Sequence, residues 1–230
     1  MTLRVGIDLD GTLADLSSAY RELERAMFGD RRAAESDADE AEIELGEQEQ
    51  AADRKATLKA ARHEARQRDL IWDAIRQTAD FWAGLRPLEP GVVRRLYEAS
   101  LAHGWEVFFI TQRPSTAGQT VQRQTQQWLM REGFETPSVL TLAGGRGRVA
   151  VTLELDVLVD DYRKNCVDVV SESRCWPILV LRTPSASAEA AAGGLRIGVV
   201  RSVAEAITLL RTSGTSSRPD AIQRIMEIKD

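Results

Sequence analysis

Six short apolar runs rich in β-branched residues alternate with helical patterns along this chain, and that rhythm restricts the fold more than any other feature. The runs are Leu3 to Leu9, Trp105 to Thr111, Ser138 to Ala143, Asp156 to Val159, Pro177 to Arg182 and Ile197 to Val200. Continuous apolar runs separated by helices are the mark of strands buried on both faces, so the expectation is an α/β fold with a mainly parallel, doubly wound, Rossmann-like sheet. Helices are expected from just after Pro90 to Gly104, from Ser115 to Glu132, and from Ser202 to Arg211. Proline at a helix start and glycine just past its end is the usual asymmetry.

Two segments break the rhythm. From about 31 to 68 the chain is alanine-rich and charged, acidic through Glu49 and basic from Arg54. Such a stretch reads as a solvated insertion, or as a helical hairpin that turns near Gly46 with arms of opposite charge. Residues 212–230 read as a linker followed by a short amphipathic tail. With a hydrophobic fraction of 43% the rest can build a core. A net charge of -5 gives no general attraction for nucleic acid or an anionic membrane surface. Neither a secretory leader nor a run of membrane-spanning length is visible. The two cysteines, Cys166 and Cys175, lack metal-type spacing. The expectation is a soluble cytoplasmic protein.

Ligands of doubly wound sheets bind beyond the carboxyl ends of the strands, where the strand order reverses. Three expected strand ends carry acids or hydroxyls: Asp8-Leu9-Asp10-Gly11-Thr12, Thr111-Gln112-Arg113-Pro114 and Asp160-Asp161. Asp8 and Asp10 flank one residue, so an extended backbone sends both side chains to one face. Gly11 then permits a sharp exit. Carboxylates from two strands form the all-oxygen surroundings that magnesium prefers. A carboxylate can attack phosphorus to give an acyl-phosphate that water cleaves, and a metal offsets the repulsion between the two anions. Asp15 reads as the cap of the following helix. His63 and His103 have no partner set and read as solvated. Gly145-Arg-Gly147-Arg-Val-Ala150 matches a dinucleotide fingerprint in form, but it follows the third strand and reads as a glycine-rich turn.

In type and order, IDLDGTL, FFITQRP and VLVDDYRKN resemble the motifs of the haloacid dehalogenase-like phosphatases, over roughly Leu3 to Leu210 apart from the charged insertion. The resemblance implies Asp8 as nucleophile and metal ligand. It implies Asp10 as acid and base, with its main-chain carbonyl on Mg2+. Thr111 would hold the phosphoryl group, Asp160 would bind the metal and Asp161 would support it there. Gln112 and Arg113 are expected at the substrate. The family usually sets a lysine on the helix before the fourth strand; here the basic residues are Arg146 and Arg148. Arg148 has the closer spacing and is expected to replace the lysine. Arg146, nearer the glycine turn, is expected to be solvated, as is Lys164.

About ninety residues separate Asp10 from the second strand, far more than a single-helix crossover needs. By the resemblance this is a helical cap inserted after the first strand. The expected division is a core of 1–15 and 86–211, a cap of 16–85 carrying the insertion, and the tail. Phe81 and Trp82, at the end of the lid, are expected to face the substrate, and Trp72 to belong to the cap's own core. DFWAGLRPLEPG resembles the 5'(3')-deoxyribonucleotidase branch, in which cap aromatics stack on the base. The implied partner is a small phosphorylated metabolite such as a nucleoside monophosphate. The alternatives are a binding or scaffold protein that has kept the fold, and a phosphotransferase or mutase of the same fold.

Overall fold

A computed structural model describes residues 2–29 and 47–212, with the backbone alone over 47–61. The strands are β1 (Arg4–Asp8), β2 (Glu106–Thr111), β3 (Ser138–Thr141), β4 (Val157–Asp160), β5 (Trp176–Val180) and β6 (Gly198–Val200). They form one six-stranded parallel sheet in the order β3-β2-β1-β4-β5-β6. All six runs expected from the sequence are strands, with ends shifted by one or two residues. β4 and β5 are buried along their whole length, and β1 except at Arg4. This explains why they read as continuous apolar runs rather than as alternating ones.

The helices are α1 (Leu16–Phe28), α2 (Glu47–Gln77), α3 (Val92–His103), α4 (Val121–Arg131), α5 (Arg146–Thr152), α6 (Arg163–Glu172), α7 (Ala186–Gly193) and α8 (Val203–Thr212), with a 3-10 turn at Phe81–Gly84. Asp15 caps α1 as expected, its Oδ1 accepting from Ser18 N at 2.9 Å. α4 begins at Val121 rather than Ser115. Thr120 takes the cap, and the backbone before it is held by Asp80, which accepts from Gln119 N at 2.8 Å. Gly118 is left-handed there, and a side chain at that position would strike the Asp80 carboxylate.

The long connection after β1 is helical where it is described. The end of α2 and the 3-10 turn place Ile71, Ile75 and Trp82 in the same hydrophobic cluster as Leu9, Leu13, Val92 and Leu96. The foot of the connection is therefore packed as part of the main core. The first arm of the expected hairpin, its turn near Gly46, and the tail beyond Thr212 lie outside the described residues. Among those described, no helix is long and apolar enough to cross a membrane.

Candidate active site

β1 and β4 are neighbours, and on either side of them the chain order runs in opposite directions, which makes their carboxyl ends the switch point. Their register pairs Ile7 with Val159, so Asp8 and Asp160 follow side by side. Asp161 comes next on the β4 side. Carboxylate oxygens of Asp8, Asp160 and Asp161 lie within 4.8 Å of one another. Thr12 ties the two loops together: its hydroxyl donates to Asp161 Oδ1 at 3.0 Å and accepts from Asp161 N at 3.0 Å. Gly11 is left-handed with φ 87°, and any Cβ there would collide with the Asp161 carboxylate. Glycine is needed at this exit for space as well as for its backbone conformation.

Burial sets the electrostatics. Asp8 is 6% exposed and Asp160 is fully buried. Loss of solvation pushes the Asp8 carboxyl well above the usual carboxylate range. Neighbouring Asp160 pushes it the same way, and Arg146 opposes the shift. Asp160 is pushed up to about 6, chiefly by burial; hydrogen bonds from Tyr162 N at 2.8 Å and Asn165 Nδ2 at 2.9 Å restrain the rise. Burial raises Asp161 too, against the Thr12 hydroxyl. Burial and mutual repulsion thus raise the proton affinity of the whole cluster, which a nearby cation would lower. The trio is all oxygen and drawn from two strand ends, which fits Mg2+ better than a softer ion.

Arg146 supplies part of that charge. It is 3% exposed, with Nη2 donating to Asp8 Oδ1 at 2.5 Å and Nε at 3.5 Å from Asp160 Oδ2. Its Nη1 is buried without a partner. Here the structure corrects the sequence reading. Arg148 is exposed, and Arg146, expected in solvent, is the residue within the cluster. The reason is helical geometry. Gly145 to Ala150 opens α5 instead of forming a plain turn, and residues two apart on a helix point roughly 200° apart. Only one of the two arginines can face the acids. Gly147 decides which, because α5 presses on α6 there and a Cβ would meet Asp168 O at 2.6 Å. Lys164 is exposed on α6, as expected.

Asp10 faces the same cavity from the β2 side. Its carboxylate is gripped by Arg113, with Nε at 2.9 Å from Oδ2 and Nη2 at 2.7 Å from Oδ1. Thr111 is buried, and its Oγ1 lies 3.5 Å from Asp10 Oδ2. Arg113 lines the cavity as expected, but its side chain is wholly buried with its nitrogens committed to Asp10 and Thr125. Gln112 is exposed and donates to Gly144 O at 2.6 Å.

The cavity over these groups measures about 270 Å³ and is walled by Leu16, Trp72, Pro114, Tyr162 and Asn165 as well as the charged residues. Of the two aromatic residues expected at the substrate, Trp82 lines this cavity and Phe81 does not. Phe81 lines a separate cavity with Asp15, Glu22 and Asp80, so it does not face the acids. Trp82 lines the cavity over the acids as expected, deeply seated in its wall, with Nε1 donating to Pro114 O at 3.0 Å. Trp72, expected in the cap's core, is half-buried and lines the cavity. Its place on the inner face of α2 could be read from its spacing to Ile71 and Ile75, which turn toward the core on either side of it. Asn165 had no comparable signal, since its importance depends on how α6 leaves β4.

No protein-family model matches the sequence, and a search of curated proteins finds no match. Solved structures do resemble the chain. One is described as a HAD hydrolase, family IA, variant 3, from Entamoeba histolytica HM-1:IMSS. It is 10% identical, with 98% of this chain and 100% of that one covered, at a TM-score of 0.48. Another is a haloacid dehalogenase-like family hydrolase from Xanthomonas campestris. It is 18% identical, with 92% and 95% covered, at a TM-score of 0.46. Neither figure decides an activity, which is a property of the side chains at the strand ends.

Proposed function

We propose that the protein is a magnesium-dependent phosphomonoester hydrolase of the haloacid dehalogenase type, working through an aspartyl-phosphate on Asp8. The observation that carries this reading is the cluster of Asp8, Asp160 and Asp161 within 4.8 Å, raised in proton affinity and facing a half-satisfied Arg146. Such a cluster calls for cations and for a ligand rich in acceptors, and a phosphate monoester with Mg2+ brings both.

Asp8, Asp160 and Asp161 would hold the metal, which when bound screens the negative charge that separates an anionic nucleophile from an anionic phosphate. In the first half-reaction an Asp8 carboxylate oxygen attacks phosphorus, and the bond from phosphorus to the ester oxygen breaks. Asp10 gives that departing oxygen a proton. In the second half-reaction Asp10 takes a proton from water as the water oxygen attacks phosphorus, releasing phosphate and restoring Asp8. Thr111 donates its hydroxyl hydrogen to a phosphoryl oxygen. The unpartnered Nη1 of Arg146 gives the phosphoryl group a fixed, charged donor.

The substrate is a small phosphorylated metabolite, and a nucleoside monophosphate fits the wall of the cavity. Trp72 and Tyr162 line it and offer aromatic surface for a base, with Leu16 and Pro114 also in the wall. This reading keeps the division into a core of 1–15 and 86–211 and a helical cap of 16–85, with Trp72 on the cap side. Free, buried Cys166 and Cys175 suit a reducing, cytoplasmic setting.

The test is hydrolysis of para-nitrophenyl phosphate with magnesium and with a chelator, followed by a panel of nucleoside monophosphates and sugar phosphates. Turnover that needs the metal and is highest on a nucleoside monophosphate supports the reading in full. Phosphate binding without turnover would make the protein a binding module instead.

A further inference from the structure

Arg113 lines the cavity, but its side chain is buried beside Asp10, and two of its three side-chain nitrogens point at that one catalytic group. Its side chain has no solvent exposure, whereas that of Asp10 is 18% exposed toward the cavity. Nε lies 3.1 Å from Asp10 Oδ1 and 2.9 Å from Oδ2, and Nη2 lies 2.7 Å from Oδ1. The remaining arm, Nη1, donates to Thr125 Oγ1 on α4 at 2.9 Å. The flat guanidinium rests on Trp82, 4.9 Å from the ring centroid. Trp82 is itself pinned, N to Gln124 Oε1 at 3.0 Å and Nε1 to Pro114 O at 3.0 Å. The arginine is thus fixed by an α4 hydroxyl and an aromatic plane from the cap's return, and has no freedom left.

From this geometry we propose that Arg113 is a positioning residue for proton transfer: it locks the plane of the Asp10 carboxylate so that one oxygen meets the departing oxygen of the ester. The inference rests on the reading of Asp10 as the acid and base. A fork with two donors fixes both the direction and the rotation of a carboxylate, whereas an ammonium, a point charge, fixes neither. Thr111 Oγ1 accepts from Arg113 N at 3.3 Å, which helps to seat the arginine. Asp10 has no partner from α1 or α2 among the described residues, so its aim depends on the β2 side. Placement of the proton donor to within a fraction of an ångström governs how much of its advantage reaches the transition state.

A series of substituted phenyl phosphates, from para-nitro to para-methoxy, tests this with magnesium present. A well-placed acid makes kcat/KM nearly independent of how good the leaving phenolate is. Without that acid the poor leaving groups fall behind. The wild type should show a shallow dependence and Asp10→Asn a steep one, with a loss of about 10²-fold or more on the para-methoxy ester. Arg113→Lys should be steep as well, and in the Asp10→Asn background it should add almost nothing. A residue that only stabilised the fold would lower every ester alike. Thr125→Val, which frees the far arm of Arg113, should steepen the dependence in the same direction, and it decides the matter if Arg113→Lys does not fold. If Asp10→Asn stays shallow, the reading of Asp10 fails. If Asp10→Asn is steep while the folded Arg113→Lys, or in its place Thr125→Val, stays shallow, Asp10 is the acid and Arg113 does not aim it.

Discussion

Arg146→Met removes the guanidinium that touches Asp8 and Asp160 and puts an apolar chain of similar length in its place. Both carboxylates are buried, and Arg146 opposes the rise in proton affinity of each. Breaking a buried ion pair from one side costs about 3–5 kcal/mol, because the remaining charge keeps its desolvation cost and loses its compensation. In a chain of this length about 1 kcal/mol moves the melting temperature by roughly 2–4 °C. The variant should therefore melt on the order of 10 °C below the wild type at pH 8 with EDTA present. At pH 5 the gap should shrink, since Asp160, already pushed up to about 6, and Asp8, raised further, take up protons and shed their charge. Magnesium should restore part of the loss at pH 8, because a bound cation does what the arginine did. Losing a charged donor to the phosphoryl group should also lower kcat by about 10²–10³-fold. The control is Arg148→Met, at an exposed position, which should stay within about 0.5 kcal/mol of wild type. Scanning calorimetry with and without metal reads the stability changes, and steady-state kinetics reads kcat. Wild-type melting of Arg146→Met in EDTA at pH 8, or an equal loss in Arg148→Met, would refute the placement of charge.

Three more outcomes follow from the same site. Asp160 and Asp8 have raised proton affinity in the fold, so their favourable contribution is complete below the ordinary carboxylate value of 3.8 and is lost as pH rises, for Asp160 through about 6. Magnesium should therefore raise the melting temperature more at pH 8 than at pH 5, and Asp160→Asn should flatten that difference; an equal shift at both values counts against the cluster as the metal site. Trp72→Ala should raise KM for a nucleoside monophosphate severalfold more than for a compact phosphate, because a remote contact serves only the larger ligand, while Phe81→Ala should change neither KM. If Phe81→Ala has the larger effect, the cavity has been given the wrong wall. Asp8→Asn should abolish turnover yet melt at or above the wild-type temperature in EDTA, since it removes a poorly solvated carboxylate; a large drop in melting temperature would mean that Asp8 is chiefly structural.

The strands and the acids were legible because each leaves a local mark. A strand buried on both faces must be apolar throughout, and the residues of β1, β4 and β5 read that way from their order alone. Asp8, Asp10 and Asp160 stand at the ends of such runs, so finding the strands finds the acids. What escaped depends on how one element leans on another. Arg146 and Arg148 look interchangeable in a glycine-rich stretch, and only the pressing of α5 against α6 at Gly147 tells them apart. Arg113 reads as a phosphate-facing residue, but Trp82 and Thr125, both distant in sequence from Asp10, hold it behind that carboxylate. α7 escaped for a different reason: a run of alanine and serine has no apolar period to mark one face. Phe81 and Trp82 are adjacent, and a single 3-10 turn sends one to a second cavity and the other into the wall of the first.

The central claim is a covalent bond between phosphorus and Asp8. Acid quenching during steady turnover, borohydride reduction of any acyl-phosphate, and peptide mass spectrometry test it most directly. The account predicts homoserine in place of Asp8 in the amino-terminal peptide, in amounts that depend on both substrate and magnesium. An active enzyme that yields no reduced product at Asp8, or yields it at Asp10 or Asp160, would contradict the account.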